Sequence, residues 1–347
     1  MTRVAVLRGI GSWLPPRRVP NSALPAELNT SDEWIRLRTG IGQRYLAEPG
    51  SATSDLAVRA GARALAHAEL SEVDAVVVTT TTPDRPCPGI APEVTWRLGL
   101  GNVGAYDVMA VCAGFVYALA NAAGMIAAGI VDRVLVIAAE TFSSILNPLD
   151  RTTAVIFGDG AAAVVLTSGD PDEPGRVGPF DLGSDGEHSG LIAVPAGGSR
   201  QRLSGQPVPP EEYYFTMDGR EVFRHAVLRM AASTRTVLNR AGWRAADLDH
   251  LVSHQANSRI LHRLAEDLGL DPARAVSNIA RVGNTAAASI PLALADALAA
   301  GSLRTGDRLV LTAFGGGLSW GSVALTWPSL TCPGLAATSP SERGAHA

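Results

Sequence analysis

The helix that follows Cys112 constrains the fold more than any other stretch of this sequence. Residues 114–129 are rich in Ala and Gly and are apolar on nearly every helical face, as in a core helix or a membrane span. Asn121 interrupts the run and charged residues bound it, so we predict a core helix. Cys112 then stands at a buried helix start, where unpaired N–H groups and the helix dipole favour a thiolate. An isolated cysteine of this kind is more often only a small core residue.

The chain carries the same arrangement twice. In each half an apolar strand leads to an Ala-rich helix and a second apolar strand. These segments are residues 73–78, 106–129 and 134–137 in the first half, and 248–253, 285–300 and 309–312 in the second. Phe-Gly-Asp-Gly at 157–160 precedes the strand 161–166, as Phe-Gly-Gly-Gly at 314–317 precedes 323–326. Strands that alternate with helices predict mostly parallel sheets.

A duplicated α/β unit with both central helices buried predicts a five-layer α-β-α-β-α sandwich, the two helices packed between two sheets. Residues 168–176 are rich in Asp, Pro and Gly and form the clearest break. We therefore predict an N-terminal half at 1–175 that carries the cysteine and a C-terminal half at 176–328. The last residues, 329–347, have little pattern and predict a disordered tail.

The composition is that of a globular protein with ample core. The 347 residues are 46% hydrophobic and 18% charged, and the net charge is −4. This charge gives no reason to expect nucleic acid or an anionic membrane as a partner. Three cysteines, Cys87, Cys112 and Cys332, argue against a disulfide framework and for a reducing compartment. No CxxC or His-rich spacing suggests a metal. The N-terminus does not match a signal peptide, so we predict a cytoplasmic protein.

Local patterns predict the remaining elements. The predicted elements are a strand at 4–10, a helix start at 30–35 with a basic loop at 36–42, an amphipathic helix at 53–69, a proline-stiffened loop at 83–92, a polar loop at 195–210, and helices at 221–241 and 258–268.

Three features of the second half bear on the role of Cys112. His254 follows a β-branched strand, Asn284 precedes the second buried helix, and glycines 315–317 follow another strand. Alone, each has an ordinary explanation: a surface or capping histidine, an N-cap, a turn. In a duplicated fold, however, all three would converge beside Cys112. They would supply the hydrogen-bond donors and the oxyanion site that a cysteine nucleophile needs.

Nine short motifs occur in an order that identifies a family. They are Ser-Asp-Glu-Trp-Ile at 31–35, Arg-Thr-Gly-Ile at 38–41, Cys-Ala-Gly-Phe at 112–115, Asp-Arg at 150–151, Phe-Gly-Asp-Gly at 157–160, Met-Asp-Gly at 217–219, His-Gln-Ala-Asn at 254–257, Gly-Asn-Thr at 283–285 and Ala-Phe-Gly-Gly-Gly at 313–317. The sequence resembles the β-ketoacyl-acyl-carrier-protein synthase III enzymes of the thiolase superfamily over residues 3–327. The Cys/His/Asn set distinguishes this group from the elongating synthases, which use Cys/His/His.

The resemblance implies a thiolase-like fold, a homodimer and a two-step reaction. An acyl-CoA would acylate Cys112, and a malonyl-carrier protein would then lose CO₂ and attack the acyl group. His254 and Asn284 would hold the malonyl thioester oxygen, and the Cys112 and Gly316 N–H groups would hold the acyl oxyanion. The product would be a β-ketoacyl thioester that starts fatty-acid or polyketide synthesis. No cofactor is implied, because CoA enters as a substrate.

The resemblance also implies a binding site for each substrate. Trp34 and Arg151 match the pair that sandwiches the CoA adenine, and Arg38 matches a phosphate contact. Arg259 would meet the carrier protein, as could residues 220–224. Further residues matched to substrate binding are Phe157, Gly219, Phe223, Ala256, Asn257, Phe314 and Cys87. At the position of Cys87 the family often has Phe or Thr reaching the partner's acyl pocket, so a smaller side chain predicts a larger pocket.

One alternative remains open at this point. The same scaffold serves acyltransferases that move the acyl group from cysteine to an alcohol, an amine or another nucleophile, without C–C bond formation. In such enzymes the third catalytic residue is often changed. Asn284 is intact here, which favours condensation over the alternative.

Overall fold

A computed structural model describes residues 3–331 of the chain. Residues 332–347, most of the predicted tail and Cys332 with them, lie outside the described part. The strands are β1 (Val4–Trp13), β2 (Arg17–Pro20), β3 (Gln43–Leu46), β4 (Ala75–Thr79), β5 (Gly104–Val108), β6 (Arg133–Glu140), β7 (Gly160–Gly169), β8 (Val177–Ser184), β9 (Ile192–Ala193), β10 (Thr216–Met217), β11 (His250–Ser253), β12 (Arg308–Gly315) and β13 (Ser319–Thr326). The α-helices are α1 (Asp32–Thr39), α2 (Thr53–His67), α3 (Ala91–Arg97), α4 (Gly114–Ala127), α5 (Ser199–Ser204), α6 (Gly219–Ala241), α7 (Ser258–Asp267), α8 (Ile279–Val282) and α9 (Ser289–Ala299).

Two larger sheets carry the architecture. The first has the strand order β1-β7-β6-β4-β5 and the second β11-β12-β13-β8. The prediction of mostly parallel sheets is wrong: only β4 with β5, β4 with β6, and β11 with β12 run parallel. The other pairs in these sheets are antiparallel. The reason is that no α-helix separates β6 from β7 or β12 from β13, so each pair can reverse direction.

The two apolar helices, α4 and α9, lie between the sheets. They share one hydrophobic cluster with the inward-facing residues of both sheets. On the outer faces, α2 packs against the first sheet, and α6 and α7 pack against the second. The predicted five-layer sandwich is therefore confirmed. Among residues 3–331, no helix combines the length and apolar character that crossing a membrane would require.

Both central helices begin in the same unusual way. A single 3₁₀ turn precedes each helix, Val111–Ala113 before α4 and Ala286–Ala288 before α9. The first residue of each turn has a positive φ, 47° at Val111 and 45° at Ala286. This region is strained for residues with a side chain, above all a β-branched one, and such strain persists only where the surroundings hold it. The two turns are thus matched features of the two halves.

Three local predictions need correction. Residues 36–39 are not a loop: they form the last turn of α1, whose first turn is capped by the Ser31 hydroxyl, which accepts from Trp34 N at 3.1 Å. Helix α3 begins inside the proline-rich stretch, with Pro92 in its first turn, where proline is tolerated. The short helix α5 lies inside the predicted polar loop at 195–210.

Candidate active site

Cys112 lies in the strained turn before α4 and is half-buried. The end of β12 packs closely against Cys112. A Cβ added to Gly315 would lie 2.7 Å from Cys112 N and 3.0 Å from Cys112 Cβ, too close for any residue but glycine. Gly316 follows directly, and a Cβ there would lie 3.3 Å from Val111 Cγ2. The glycine-rich strand end from the second half therefore reaches the cysteine of the first half.

Burial favours the protonated form of the Cys112 thiol. Burial, and secondarily the negative charge of Glu140, raise the pKa of the Cys112 thiol well above its ordinary value. A backbone hydrogen bond at the turn lowers this pKa but does not offset the burial. The helix start was expected to favour a thiolate, and the loss of hydration on burial acts against that effect.

His254 directly follows β11 and is buried. Its N–H donates to the Thr312 carbonyl at 2.8 Å, which extends the parallel pairing with β12 by one residue. Its Nδ1 lies 2.6 Å from the Ser289 hydroxyl at the start of α9. Burial lowers the pKa of His254 to about 3, so the ring is neutral at physiological pH. For Nε2 to donate to a substrate, the neutral ring has to carry its proton on Nε2, and Nδ1 has to accept from the Ser289 hydroxyl.

Asn284 precedes the strained turn before α9 and bridges the two halves. Its backbone pairs with the segment around Phe157: Asn284 N donates to Ile156 O at 3.0 Å, and Gly158 N donates to Asn284 O at 2.9 Å. Its side-chain Oδ1 accepts from Ala286 N at 2.9 Å. The amide NH₂ is therefore the part of the side chain left to donate to a substrate.

An aromatic cluster forms the apolar wall of this site. The Phe157 ring stacks on Phe142 with centroids 4.3 Å apart, and Phe215 meets both rings edge-on at 5.0 and 5.2 Å. Cys112 packs against the same hydrophobic cluster. Phe142 and Phe215 were absent from the sequence prediction, since neither lies in a recognisable motif.

Trp34, Arg38 and Arg151 come together at the surface. The Arg38 guanidinium carbon lies 4.4 Å from the centre of the Trp34 ring, and that of Arg151 lies 5.4 Å away. Helix α1, which carries Trp34, contacts the start of α7: Asn257 Nδ2 donates to Arg38 O at 3.1 Å. Asn257 also caps α7, and the next helical arginine, Arg259, is exposed. Predicted contacts for CoA and for the carrier protein are therefore neighbours.

The other predicted substrate residues are more scattered. Ala256 follows His254 and is half-buried, whereas Gly219 and Phe223 lie exposed in the first turns of α6. Phe314 is buried in the hydrophobic cluster between the second sheet and helices α6 and α7. Cys87 is exposed in the loop between β4 and α3. In the single chain, these positions do not join the cluster that contacts Cys112.

Comparison with known proteins identifies the family of this chain. The family models described as 3-oxoacyl-[acyl-carrier-protein (ACP)] synthase III and its C-terminal region match residues 106–186 and 238–327. A Streptomyces coelicolor protein named beta-ketoacyl-[acyl-carrier-protein] synthase III 3 is 61% identical over 95% of this chain and 99% of its own. The chain belongs to the β-ketoacyl-ACP synthase III family. The resemblance predicted from the motifs is confirmed, and as a member the protein is an acyl-transferring condensing enzyme.

Solved structures of synthase III proteins agree with this fold. The 3-oxoacyl-(acyl carrier protein) synthase III of Pseudomonas aeruginosa superposes with a TM-score of 0.89 at 51% identity, over 94% of this chain and 99% of that one. The priming β-ketosynthase of the R1128 polyketide pathway gives 0.87 at 35% identity, over 94% and 97%. The thiolase-like fold class is confirmed.

Proposed function

We propose that this synthase III takes an acyl group from acyl-CoA onto Cys112 and condenses it with a malonyl-carrier protein. Cys112 Sγ attacks the acyl thioester, and CoA leaves as a thiol. The malonyl group then loses CO₂, and the resulting enolate attacks the acyl-enzyme. This step releases a β-ketoacyl thioester and the Cys112 thiolate, and a proton from solvent restores the thiol. The observation that carries this proposal is the contact of Gly315 with Cys112 at a strained turn.

His254 and Asn284 support the decarboxylation step. Negative charge develops on the malonyl thioester oxygen as CO₂ leaves, and His254 Nε2 and Asn284 Nδ2 are the side-chain atoms left to meet it. In a site shielded from water, one such donor typically lowers the barrier by about 3 kcal/mol. The rings of Phe157, Phe142 and Phe215 keep this side of the pocket dry and favour loss of the charged carboxylate as CO₂.

Backbone N–H groups support the acyl-transfer steps. The tetrahedral intermediate on Cys112 carries an oxyanion, and the N–H groups of Cys112 and Gly316 are the proposed donors. Their positions follow from the packing of β12 on the turn before α4, which leaves no room for side chains. Because rigid secondary structure holds both groups, the donors need no reorganisation when the charge forms.

The surface around Trp34 is the proposed mouth of the tunnel. The CoA adenine would stack between Trp34 and Arg151, displacing guanidinium contacts that the free protein makes with the indole. Arg38 would meet a CoA phosphate. Arg259, exposed beside it, would meet the acidic carrier protein, as would Arg220 and Arg224 at the start of α6.

A homodimer is the proposed assembly. Strand β5 lies at the edge of the first sheet, and Tyr106 on it and Met109 just beyond it are exposed. Proteins rarely leave such an edge uncovered. A second copy pairing at β5 would cover it. Because acyl-CoA is the proposed substrate and Cys87 and Cys112 are unpaired, we propose that the enzyme is cytoplasmic.

Cys87 is the proposed determinant of acyl-group size. Its loop is fastened to the edge strand β5, since the Asp107 carboxylate accepts from Ile90 N at 2.8 Å and Ala91 N at 2.7 Å. A loop fixed in this way would reach a partner subunit that pairs at β5. The small Cys87 side chain would then leave space for a longer or branched acyl group in the partner's pocket.

The substitution Cys87→Phe should shift the acyl-CoA preference toward short chains. Filling an apolar pocket typically changes discrimination by tenfold or more. The measurement is the rate of self-acylation across a series of straight and branched acyl-CoAs. Cys87→Ser, which conserves size, is the control and should keep the wild-type profile. An unchanged profile in Cys87→Phe would reject this role.

The reaction itself is tested with purified protein, labelled acyl-CoA and malonyl-carrier protein. Condensation gives CO₂ release and a β-ketoacyl product in equal amounts. Transfer to an alcohol or amine instead gives an acylated Cys112 that turns over without CO₂ release. The second outcome would replace condensation by the acyltransferase alternative.

A further inference from the structure

Ser289 carries a buried hydroxyl to which the proposed mechanism gives no role. It is the first residue of α9 and has no exposed surface. Three hydrogen-bonding groups surround its Oγ: His254 Nδ1 at 2.6 Å, the Ala286 carbonyl at 2.8 Å and Gln255 N at 3.3 Å. The Ser289 hydroxyl therefore joins the start of α9 to the segment that carries His254.

The single hydrogen of this hydroxyl can go to either of two acceptors. Gln255 N is a donor, so it takes one lone pair of Ser289 Oγ. If the hydrogen goes to the Ala286 carbonyl, His254 Nδ1 has to donate to Oγ, and the neutral ring then has an unprotonated Nε2. If the hydrogen goes to Nδ1, the ring carries its proton on Nε2. The direction of one O–H bond thus decides what His254 offers to a substrate.

Donation to His254 leaves the other partners of the hydroxyl paired. The Ala286 carbonyl also accepts from Ser289 N, so it keeps a donor when the hydroxyl turns away from it. An unpaired buried carbonyl would cost about 1–3 kcal/mol, and the bond from Ser289 N removes that cost. Gln255 N keeps Oγ as its acceptor in either arrangement. The hydroxyl is therefore able to donate to Nδ1 without leaving a buried group unsatisfied.

Asn284 identifies the arrangement that serves the proposed reaction. Its Oδ1 accepts from Ala286 N at 2.9 Å, which leaves the amide NH₂ to donate to a substrate oxygen. His254 can be the second donor to that oxygen only with a proton on Nε2, because an unprotonated Nε2 would place a lone pair against the oxygen. We propose that Ser289 is a positioning residue whose hydroxyl donates to His254 Nδ1 and thereby holds the ring in the tautomer protonated on Nε2. This proposal rests on the proposed condensing function.

The neutral state of the ring makes the tautomer matter. Burial lowers the pKa of His254 to about 3, so near pH 7 one of the two ring nitrogens is unprotonated. Without the Ser289 hydroxyl, Nδ1 loses its donor, and the ring is free to exchange tautomers or to rotate. In the proposed mechanism, acylation of Cys112 uses backbone donors instead. A loss confined to decarboxylation is therefore the expected signature of this role.

The first test measures the tautomer in the wild-type enzyme. Nitrogen-15 NMR of protein labelled at histidine distinguishes a ring nitrogen that carries a proton from one that does not. His254→Ala assigns the signals of this ring among the seven histidines of the chain. We expect Nε2 to be protonated and Nδ1 to be unprotonated near pH 7. A wild-type ring protonated on Nδ1 would overturn the proposal, whatever the variants do.

The second test compares the two half-reactions in Ser289→Ala. Self-acylation by acyl-CoA is measured by mass spectrometry of the Cys112 peptide, and decarboxylation as CO₂ release from malonyl-carrier protein. We expect decarboxylation to fall about 10- to 100-fold, the usual cost of removing the hydrogen-bond partner that orients a functional histidine. Self-acylation should stay within about threefold of wild type, because backbone donors serve that step. The Nδ1 signal of His254 should shift, since Nδ1 loses its donor.

Ser322→Ala is the matched control. Ser322 also has no exposed surface, and its hydroxyl donates to Thr312 Oγ1 at 2.8 Å between β13 and β12. Removing that hydroxyl should leave both rates and the His254 signals unchanged. In Ser289→Ala, equal losses in both half-reactions, or no loss in either, would overturn the positioning role. A wild-type enzyme that releases no CO₂ would instead overturn the condensing function, and the NMR measurement would still report the tautomer.

Discussion

Cys112→Ala is expected to abolish acyl transfer while leaving malonyl decarboxylation in place. Alanine removes the only atom that can form the thioester, so condensation should fall by more than about 10³-fold. His254 and Asn284 remain, so CO₂ should still leave malonyl-carrier protein within about tenfold of the wild-type rate. The measurements are radiolabel incorporation from acyl-CoA and CO₂ release in the absence of acyl-CoA.

Two further variants sharpen this result. Cys112→Ser keeps the shape but offers a poorly nucleophilic hydroxyl, so it should label far more slowly than wild type. Cys332→Ala, a change outside the described residues, should leave labelling unchanged. If Cys112→Ser labels as well as wild type, the nucleophile is another residue.

The second large effect is expected from the two side-chain donors. His254→Ala and Asn284→Ala should each slow decarboxylation by about 10²–10³-fold, as the loss of one oxyanion donor does elsewhere. Self-acylation depends on backbone donors and should change by less than about tenfold. The double variant should lose less than the product of the two single effects, because the donors serve one oxygen. Rapid-quench measurement of both half-reactions separates these outcomes.

Asn284→Asp tests most directly whether the Asn284 side chain donates a hydrogen bond to the substrate. It is nearly isosteric and keeps an oxygen to accept from Ala286 N. It replaces the donating NH₂ by a second acceptor, so it should slow decarboxylation as much as Asn284→Ala does. An Asn284→Asp enzyme with wild-type CO₂ release would show that Asn284 does not donate to the substrate.

The layered fold was accessible from the sequence because it depends on burial. A helix without a polar face has to be buried on all sides, and the apolar pattern of residues 114–129 predicted this burial from the sequence alone. The ends of β11 and β12, where His254 and Gly315 stand, followed from the repeat of strand, helix and strand. Strand direction did not follow, because direction depends on connections such as the turn between β12 and β13.

Long-range electrostatics and packing explain the rest of what the sequence did not show. Burial raises the pKa of the Cys112 thiol, and no local pattern reveals how deeply a thiol is placed. Phe142 and Phe215 are far apart in the chain, yet their rings meet edge-on with centroids 5.0 Å apart, and both contact Phe157.

The location of Cys87 bears on how such an enzyme can diverge. The groups proposed for the chemistry lie at strand ends and helix starts of the inner layers, where Gly315 leaves no tolerance for change. Cys87 is exposed in the loop between β4 and α3. With the proposed role of Cys87, mutations there would alter which starter unit is accepted while the bond-forming steps stay intact. Substrate choice in this scaffold would then be free to evolve separately from reaction type.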